Sequence, residues 1–402
     1  MTVVRRRIAP VLMAGVVAPG AFVARAAPDE MALGKAEGYP VCPPSLSVPE
    51  RCLVGLVSRR DEISPSRKVP HGDKVRELKR AASEPRLEYR FRGESGGLDA
   101  YLARNRATGL LILKGDTILA ERYQYDRKPE HRMTSMSMAK TVVAMLVGVA
   151  MADGKIKSLD DRAEKYAPEL EGTPYGGTTL FDLLTMSSGI RFSEVYSGAD
   201  DVAKLARLSV LGESAGGIET LLPFAERERP AGERYHYASA DTQALGLVVR
   251  GATGRPLAEY LSEKIWKPMG AEADASWLVD KGGYEAAFTG LNATLRDYGR
   301  FGLLLANGGN VDGKQLIPEK WVFAATSPAA RGFSGAFFSG YGFQTWVLPE
   351  PGQFALRGIR GQFVFVDPKS KLVMVQTAAG RVGEPAGDIM TLWGKVTDTL
   401  GK

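Results

Sequence analysis

An unbroken apolar run, Val142-Val143-Ala144-Met145-Leu146-Val147-Gly148-Val149-Ala150, constrains this chain more than any other segment. It contains no proline and reads as a buried helix. Directly before it stands Met133-Thr134-Ser135-Met136-Ser137-Met138-Ala139-Lys140-Thr141, which puts Ser137 near the helix N-terminus and Lys140 one turn further on. Residues i and i+3 share a helix face, so Lys140 can reach the Ser137 hydroxyl. A buried lysine has a depressed pKa and can act as a base, which a serine nucleophile needs. Free backbone N–H groups at a helix N-terminus also favour a developing oxyanion. Four-residue patterns such as S-x-x-K arise by chance in any long chain, so its weight rests on the segments downstream of it.

The rest of the composition sets bounds. A chain of 402 residues with 44% hydrophobic content can bury a large core. Its N-terminus reads as a removable export signal over residues 1–26. Arg5-Arg6-Arg7 is a basic leader, 8–23 is an apolar stretch broken by Pro10 and Pro19, and Ala24-Arg25-Ala26 offers a small-x-small cleavage site. The route of export stays open; the destination expected is the periplasm or the medium. No cysteine closely follows the apolar stretch, which speaks against a lipoprotein anchor, and no stable membrane span is expected once the signal is removed. The four arginines of the signal account for most of the formal charge of +6, leaving +2. A nearly neutral mature chain gives no reason to invoke nucleic acid or an anionic membrane.

Cys42 and Cys52 stand ten residues apart in a Pro-rich stretch. In an oxidising compartment they are expected to form one local disulfide. Two thiols with no nearby histidine would leave a zinc ion short of ligands, and no His/Cys/Asp/Glu cluster elsewhere has metal-ligand spacing, so neither metal nor cofactor is expected. The disulfide is expected to tie down an N-terminal extension, residues 27–95, at a distance from Ser137. A short helix is expected around residues 73–82 of that extension.

Periodic structure begins near Leu98. Residues 109–123 read as a β-hairpin joined at Lys114-Gly115-Asp116, and from Ser137 to about residue 325 the pattern is mostly helical, as in 181–186, 240–252 and 295–306. Strands return at 341–347, 363–367 and 372–376, with Pro368-Lys369-Ser370-Lys371 as the turn between the last two, and an amphipathic helix closes the chain over 387–400. Strands at both ends of a helical middle predict an α+β unit over 96–402: an antiparallel sheet built from both chain ends and flanked by helices, with a mostly helical inserted domain.

Three further segments add to S-x-x-K: Asp153-Gly154-Lys155-Ile156-Lys157-Ser158-Leu159-Asp160-Asp161, Leu183-Leu184-Thr185-Met186-Ser187-Ser188-Gly189, and Pro230-Ala231-Gly232-Glu233-Arg234-Tyr235-His236-Tyr237-Ala238-Ser239. In order and spacing, the chain from about residue 96 to its end resembles the serine β-lactamase and penicillin-binding superfamily. Within it, the chain is most similar to the class C β-lactamase-related esterases and 6-aminohexanoate-dimer hydrolases. The resemblance implies that Ser137 is the acylated nucleophile, Lys140 its base partner, and Tyr237 the tyrosine of a Tyr-x-Asn element that moves protons to and from the leaving group. Here Ser239 stands where that element has Asn, and a hydroxyl has less reach than an amide. The family's Lys-Thr-Gly aligns with Leu356-Arg357-Gly358, so only the glycine survives and the cation is displaced to Arg357 or Arg360. The residue after that glycine, Ile359, would give the second oxyanion N–H beside that of Ser137. Tyr196 resembles a substrate-facing tyrosine of the oligomer hydrolases.

Loss of Lys-Thr-Gly weakens the case for β-lactam recognition and resembles the esterase and amidase branch. The function expected is a serine hydrolase cleaving a small ester, amide or peptide-like substrate through an acyl-enzyme, with Lys140 hydrogen-bonded to Tyr237 and with Tyr196, Ser239, Arg357 and Gly358 lining the substrate site. The alternatives are a β-lactamase or D-Ala-D-Ala peptidase, and a non-catalytic binding module of the same fold. His131 and His236 invite a Ser-His-Asp reading, but no G-x-S-x-G surrounds the serine, and structural roles are expected for both. Tyr235 is expected to pack, and Asp241 and Asp297 to cap helices or form structural pairs.

Overall fold

The computed structural model describes residues 27–384 and 386–402; the expected export signal over 1–26 lies outside the described residues. The larger sheet takes strands from both ends of the chain. Its eight strands run in the order Gly340–Tyr341, Trp346–Val347, Phe354–Gly358, Gln362–Asp367, Leu372–Ala378, Ala107–Lys114, Thr117–Tyr123 and Lys79–Arg80. All neighbours are antiparallel except the last pair.

Alternation along the central strands decides the layering. Leu111, Leu113, Val364, Val366, Val373 and Val375 face one apolar cluster, while Leu110, Ile112, Phe363, Phe365, Leu372 and Met374 face another. Side chains of a strand point to opposite faces in turn, so apolar residues at every position require cover on both sides. The helix Leu295–Ala306 and the Ser137 helix, Met138–Ala152, supply the first cover, and the closing helix Gly387–Leu400 the second. Gly302 lets the first layer come close, since a Cβ there would stand 2.7 Å from a Val373 methyl. The fold is thus α+β, as expected.

The hairpin turns at Gly115, which holds φ +53°, and the helices Ser239–Thr253 and Leu295–Ala306 fall where the sequence predicts them. Two local expectations fail. Residues 341–347 form a hairpin rather than one strand: Tyr341 pairs with Trp346, and Gln344 reverses the chain at φ +55°. Its side chain accepts from Thr242 Oγ1 at 2.6 Å and donates to Leu183 O at 2.9 Å, so buried hydrogen bonds outweigh β-propensity. Residues 73–82 are not helical; they run extended and end in the edge strand Lys79–Arg80, with Arg76 bound to Asp116 across the hairpin turn.

A second sheet of four strands orients the nucleophile. Its order is Ser66–Val69, Ala275–Leu278, Leu291–Thr294, Arg132–Thr134. The last strand pairs Thr134 with Asn292 and then runs into the turn before Ser137. No helix among the described residues is long and apolar enough to cross a membrane.

Candidate active site

The turn Ser135-Met136-Ser137 is fixed from both sides. Ser135 N–H donates to Leu291 O at 2.7 Å, Ser135 O accepts from Met138 N at 3.1 Å, and Tyr298 Oη donates to Met133 O at 2.8 Å. Met136 is held at φ +45°, a conformation that costs a non-glycine residue energy and persists only where surroundings impose it. Ser137 follows as the residue preceding the first turn of the helix Met138–Ala152. Among the described residues no acceptor takes its N–H, so that donor is free to meet a ligand oxygen.

Lys140 is 1% exposed, and its Nζ donates to Ser137 Oγ at 2.8 Å and to Phe288 O at 3.1 Å. Burial lowers the Lys140 amine to about 8, partly offset by the negative charge of Glu194. The amine and hydroxyl expected to meet on one helix face therefore do meet. Tyr237 joins them differently from the expectation. No hydrogen bond joins Lys140 to Tyr237; the Lys140 Nζ lies 5.1 Å from the Tyr237 ring centroid. The phenol is pushed well above its ordinary value, first by burial and then by Glu194, while Ser137 and Arg357 oppose the shift. The tyrosine cage explains the burial: Tyr237 packs against Trp346 at 5.7 Å and Tyr341 at 6.2 Å between ring centroids.

At the end of strand Phe354–Gly358, Leu356 is buried under the Ser137 helix and Arg357 stacks on Trp346 at 5.0 Å and Phe338 at 5.7 Å. No carboxylate among the described residues pairs with the Arg357 guanidinium. Gly358 has a steric reason: a Cβ there would stand 2.6 Å from Ser135 O and 2.8 Å from the Met136 Cβ. The strand end can approach the nucleophile turn only without a side chain. Ile359 lines the same cleft as Ser137, Tyr196, Ser239 and Phe288, and beyond it the cleft continues past Arg357, Gly358 and Arg360. Tyr196, Ile359, Arg360 and Val382 border both arms, so they mark the junction.

Sequence reasoning missed Glu194. Its carboxylate accepts from Tyr196 Oη at 2.8 Å, Ser239 N at 2.8 Å and Ser239 Oγ at 2.9 Å, so it joins the two substrate-side residues expected. Asp200 steadies that loop by accepting from Val195 N at 2.8 Å and Ser197 N at 3.3 Å, which holds Tyr196 between them at φ +58°. A lone acidic residue in an aperiodic loop carries no signal of its own; only its convergence with Ser239, forty-five residues on, gives it a role.

The expectation that the disulfide lies far from Ser137 is overturned. Cys42 and Cys52 are bonded, with Cα atoms 5.7 Å apart, and Ser45, Leu46 and Val48 of the enclosed loop line the cleft together with Ser137. The histidines stand apart: His236 Nε2 sits 2.6 Å from Phe192 O, and His131 Nδ1 accepts from Lys128 N at 3.0 Å. Tyr235 packs on Phe333 and Tyr341. Asp297 receives Glu272 N at 2.9 Å and pairs with Arg300 at 2.8 Å, whereas Asp241 lies fully buried in the first turn of Ser239–Thr253, where burial pushes it up to about 8. No three His, Cys, Asp or Glu residues among those described are grouped to hold a metal.

Comparison with known proteins gives the family. The profile of the Beta-lactamase family matches residues 98–393. A 6-aminohexanoate-dimer hydrolase of Paenarthrobacter ureafaciens is 31% identical over 337 residues, covering 80% of this chain and 81% of that protein. A Bacillus anthracis structure described as a candidate 6-aminohexanoate-dimer hydrolase superposes with TM-score 0.76 at 25% identity, covering 88% of this chain and 94% of its own. A penicillin-binding protein from Bacillus halodurans shares the fold with TM-score 0.57 at 18% identity, covering 72% and 96%.

Proposed function

The chain belongs to the Beta-lactamase family and is a serine hydrolase of it; from that premise we propose that it cleaves a small linear amide, or the corresponding ester, through an acyl-enzyme on Ser137. The observation that carries this reading is the 2.8 Å contact between the Lys140 amine and the Ser137 hydroxyl inside a pocket that lowers the amine to about 8. Neutral Lys140 takes the Ser137 proton as Oγ attacks the carbonyl carbon. The N–H groups of Ser137 and Ile359 receive the oxyanion, each worth about 3 kcal/mol. Tyr237, protonated at neutral pH, hands a proton to the departing amine or alcohol, and water then releases the acyl group.

The amide preference draws on the relative that acts on the 6-aminohexanoate dimer, and on the cleft itself. Leu356 stands where β-lactam-recognising relatives would carry a cationic side chain, and the adjoining Arg357 is turned onto Trp346. The cleft is open along two arms that meet at Tyr196, a shape suited to a linear molecule whose scissile bond sits mid-chain. Incubation with a fluorophosphonate followed by peptide mass mapping tests the reading. One adduct on Ser137, together with hydrolysis of linear amide oligomers in preference to nitrocefin, is expected. An unlabelled Ser137 in folded protein overturns it, and also separates it from a binding module that has lost turnover.

A further inference from the structure

The loop closed by Cys42–Cys52 does more than fasten the extension. Ser45, Leu46 and Val48 line the Ser137 arm of the cleft, and Leu56 and Arg60, from the segment immediately after the bridge, line it with them. Val48 and Leu56 also pack in one apolar cluster with Met136, the residue before the nucleophile, and with Tyr39 and Tyr125. The wall is therefore continuous with the turn that holds Ser137.

What keeps this wall in place is equally specific. Among the described residues no backbone hydrogen bond joins residues 43–48 to the remainder of the chain. Their internal tie is Ser47 N to Ser45 Oγ at 3.2 Å. Position is set from outside these six residues: by the bridge to Cys52, itself 1% exposed, by Glu50, whose carboxylate accepts from Arg106 and Arg381 at 2.7 Å each, and by the helix Leu53–Ser58, which is seated in the cluster with Ala379 just past the central strand. The same arm is also lined by Val202, Ala203, Ala206 and Val210, from a second segment of the chain. Aliphatic side chains from two segments lining the cleft that holds the nucleophile can bind a hydrocarbon chain through its length, because each methylene removed from water adds to affinity.

Resting on the hydrolase reading above, we infer that the disulfide-closed loop 42–52 is the specificity wall of this enzyme, selecting aliphatic acyl groups several carbons long through Leu46 and Val48. Opening the bridge frees the wall and erases the discrimination between long and short acyl chains, and the loss falls on KM because the loop touches the chain and not the reacting carbonyl.

The test compares p-nitrophenyl acetate, butyrate and octanoate as substrates of the full mature chain, with the bridge intact, after reduction by a phosphine, and in the Cys42→Ser/Cys52→Ser double variant. The ratio of kcat/KM for octanoate to that for acetate should fall at least fivefold on opening the bridge, mainly through KM. Leu46→Trp, which leaves the bridge intact and narrows the arm, should lower the same ratio about tenfold and guards against a double variant that fails to fold. A ratio within twofold of the parent in both the reduced protein and Leu46→Trp overturns the wall, as does an equal loss for all three esters. If the parent enzyme turns over none of the esters and Ser137 takes no fluorophosphonate, the hydrolase premise falls and the wall with it; labelling of Ser137 with an unmoved ratio sinks the wall alone.

Discussion

Ser137 and Lys140 owe their meeting to one turn of one helix, whereas the Glu194–Tyr196 loop, Ser239 and the 42–52 loop reach the cleft from three separate segments. The first pair sits on a helix buried at nearly every position and backed by the central sheet. The rim is held by side-chain bonds such as Tyr196 to Glu194 and by the disulfide. The contrast separates two tasks. Chemistry needs distances that survive change elsewhere, and a helical turn supplies them at no cost in loop closure. Recognition can be rebuilt by altering loops, because the sheet beneath does not depend on them.

That division predicts a graded series of effects. Ser137→Ala should reduce turnover by about 10^4-fold or more, since the residues of a nucleophile set fail together. Its melting temperature should stay close to that of the parent, and activity above one-hundredth would dissolve the distinction between chemistry and rim. Lys140→Met should cost about 10^3-fold, within the range of a lost general base. In the parent, burial holds the amine at about 8, below its ordinary range, so the catalytically useful neutral form grows as pH rises. The kcat/KM profile should therefore climb from pH 6 and level off above about 8; a profile that falls over this range would remove Lys140 as the base.

Gly358→Ala tests where the two regions touch. A methyl 2.6 Å from Ser135 O must displace the nucleophile turn or the strand end. An activity loss of about 10- to 100-fold is expected, with a lowered melting temperature, because sub-ångström displacement of reacting groups is costly. Full activity would show that the strand end gives way without moving Ser137.

Glu194→Gln should have the smallest effect. The amide oxygen still accepts from Ser239, but a charge-assisted bond becomes a neutral one, a difference of about 1 kcal/mol, so KM for the amide substrate should rise about fivefold. Glu194 also raises the Lys140 pKa, so its neutralisation should move the rising limb of the pH profile to lower pH. A limb that stays in place while KM rises would confine Glu194 to holding the loop.

The Ser137 helix, the hairpin, the Leu295–Ala306 helix and the closing helix were legible in the sequence because each follows from spacing within one segment. A 3.6-residue turn puts Lys140 over Ser137 whatever surrounds it, and a two-residue alternation gives the central strands their two apolar faces. Residues 341–347 misled for the opposite reason: their apolar pattern suits a strand, and only the buried partners of Gln344, from two distant helices, force the reversal.

The tertiary structure alone decided the remaining geometry of the site. Tyr237 presents its ring to Lys140 without a hydrogen bond, and Trp346 and Tyr341 cage it from strands more than one hundred residues away. Glu194 gains its place by meeting Ser239, and the disulfide loop becomes a wall because Val48 packs on the same apolar cluster as Met136. None of these contacts has a period or a spacing. Each joins segments whose separation along the chain is unrelated to their distance in space, so the sequence determines the nucleophile and its base while packing determines what they are offered.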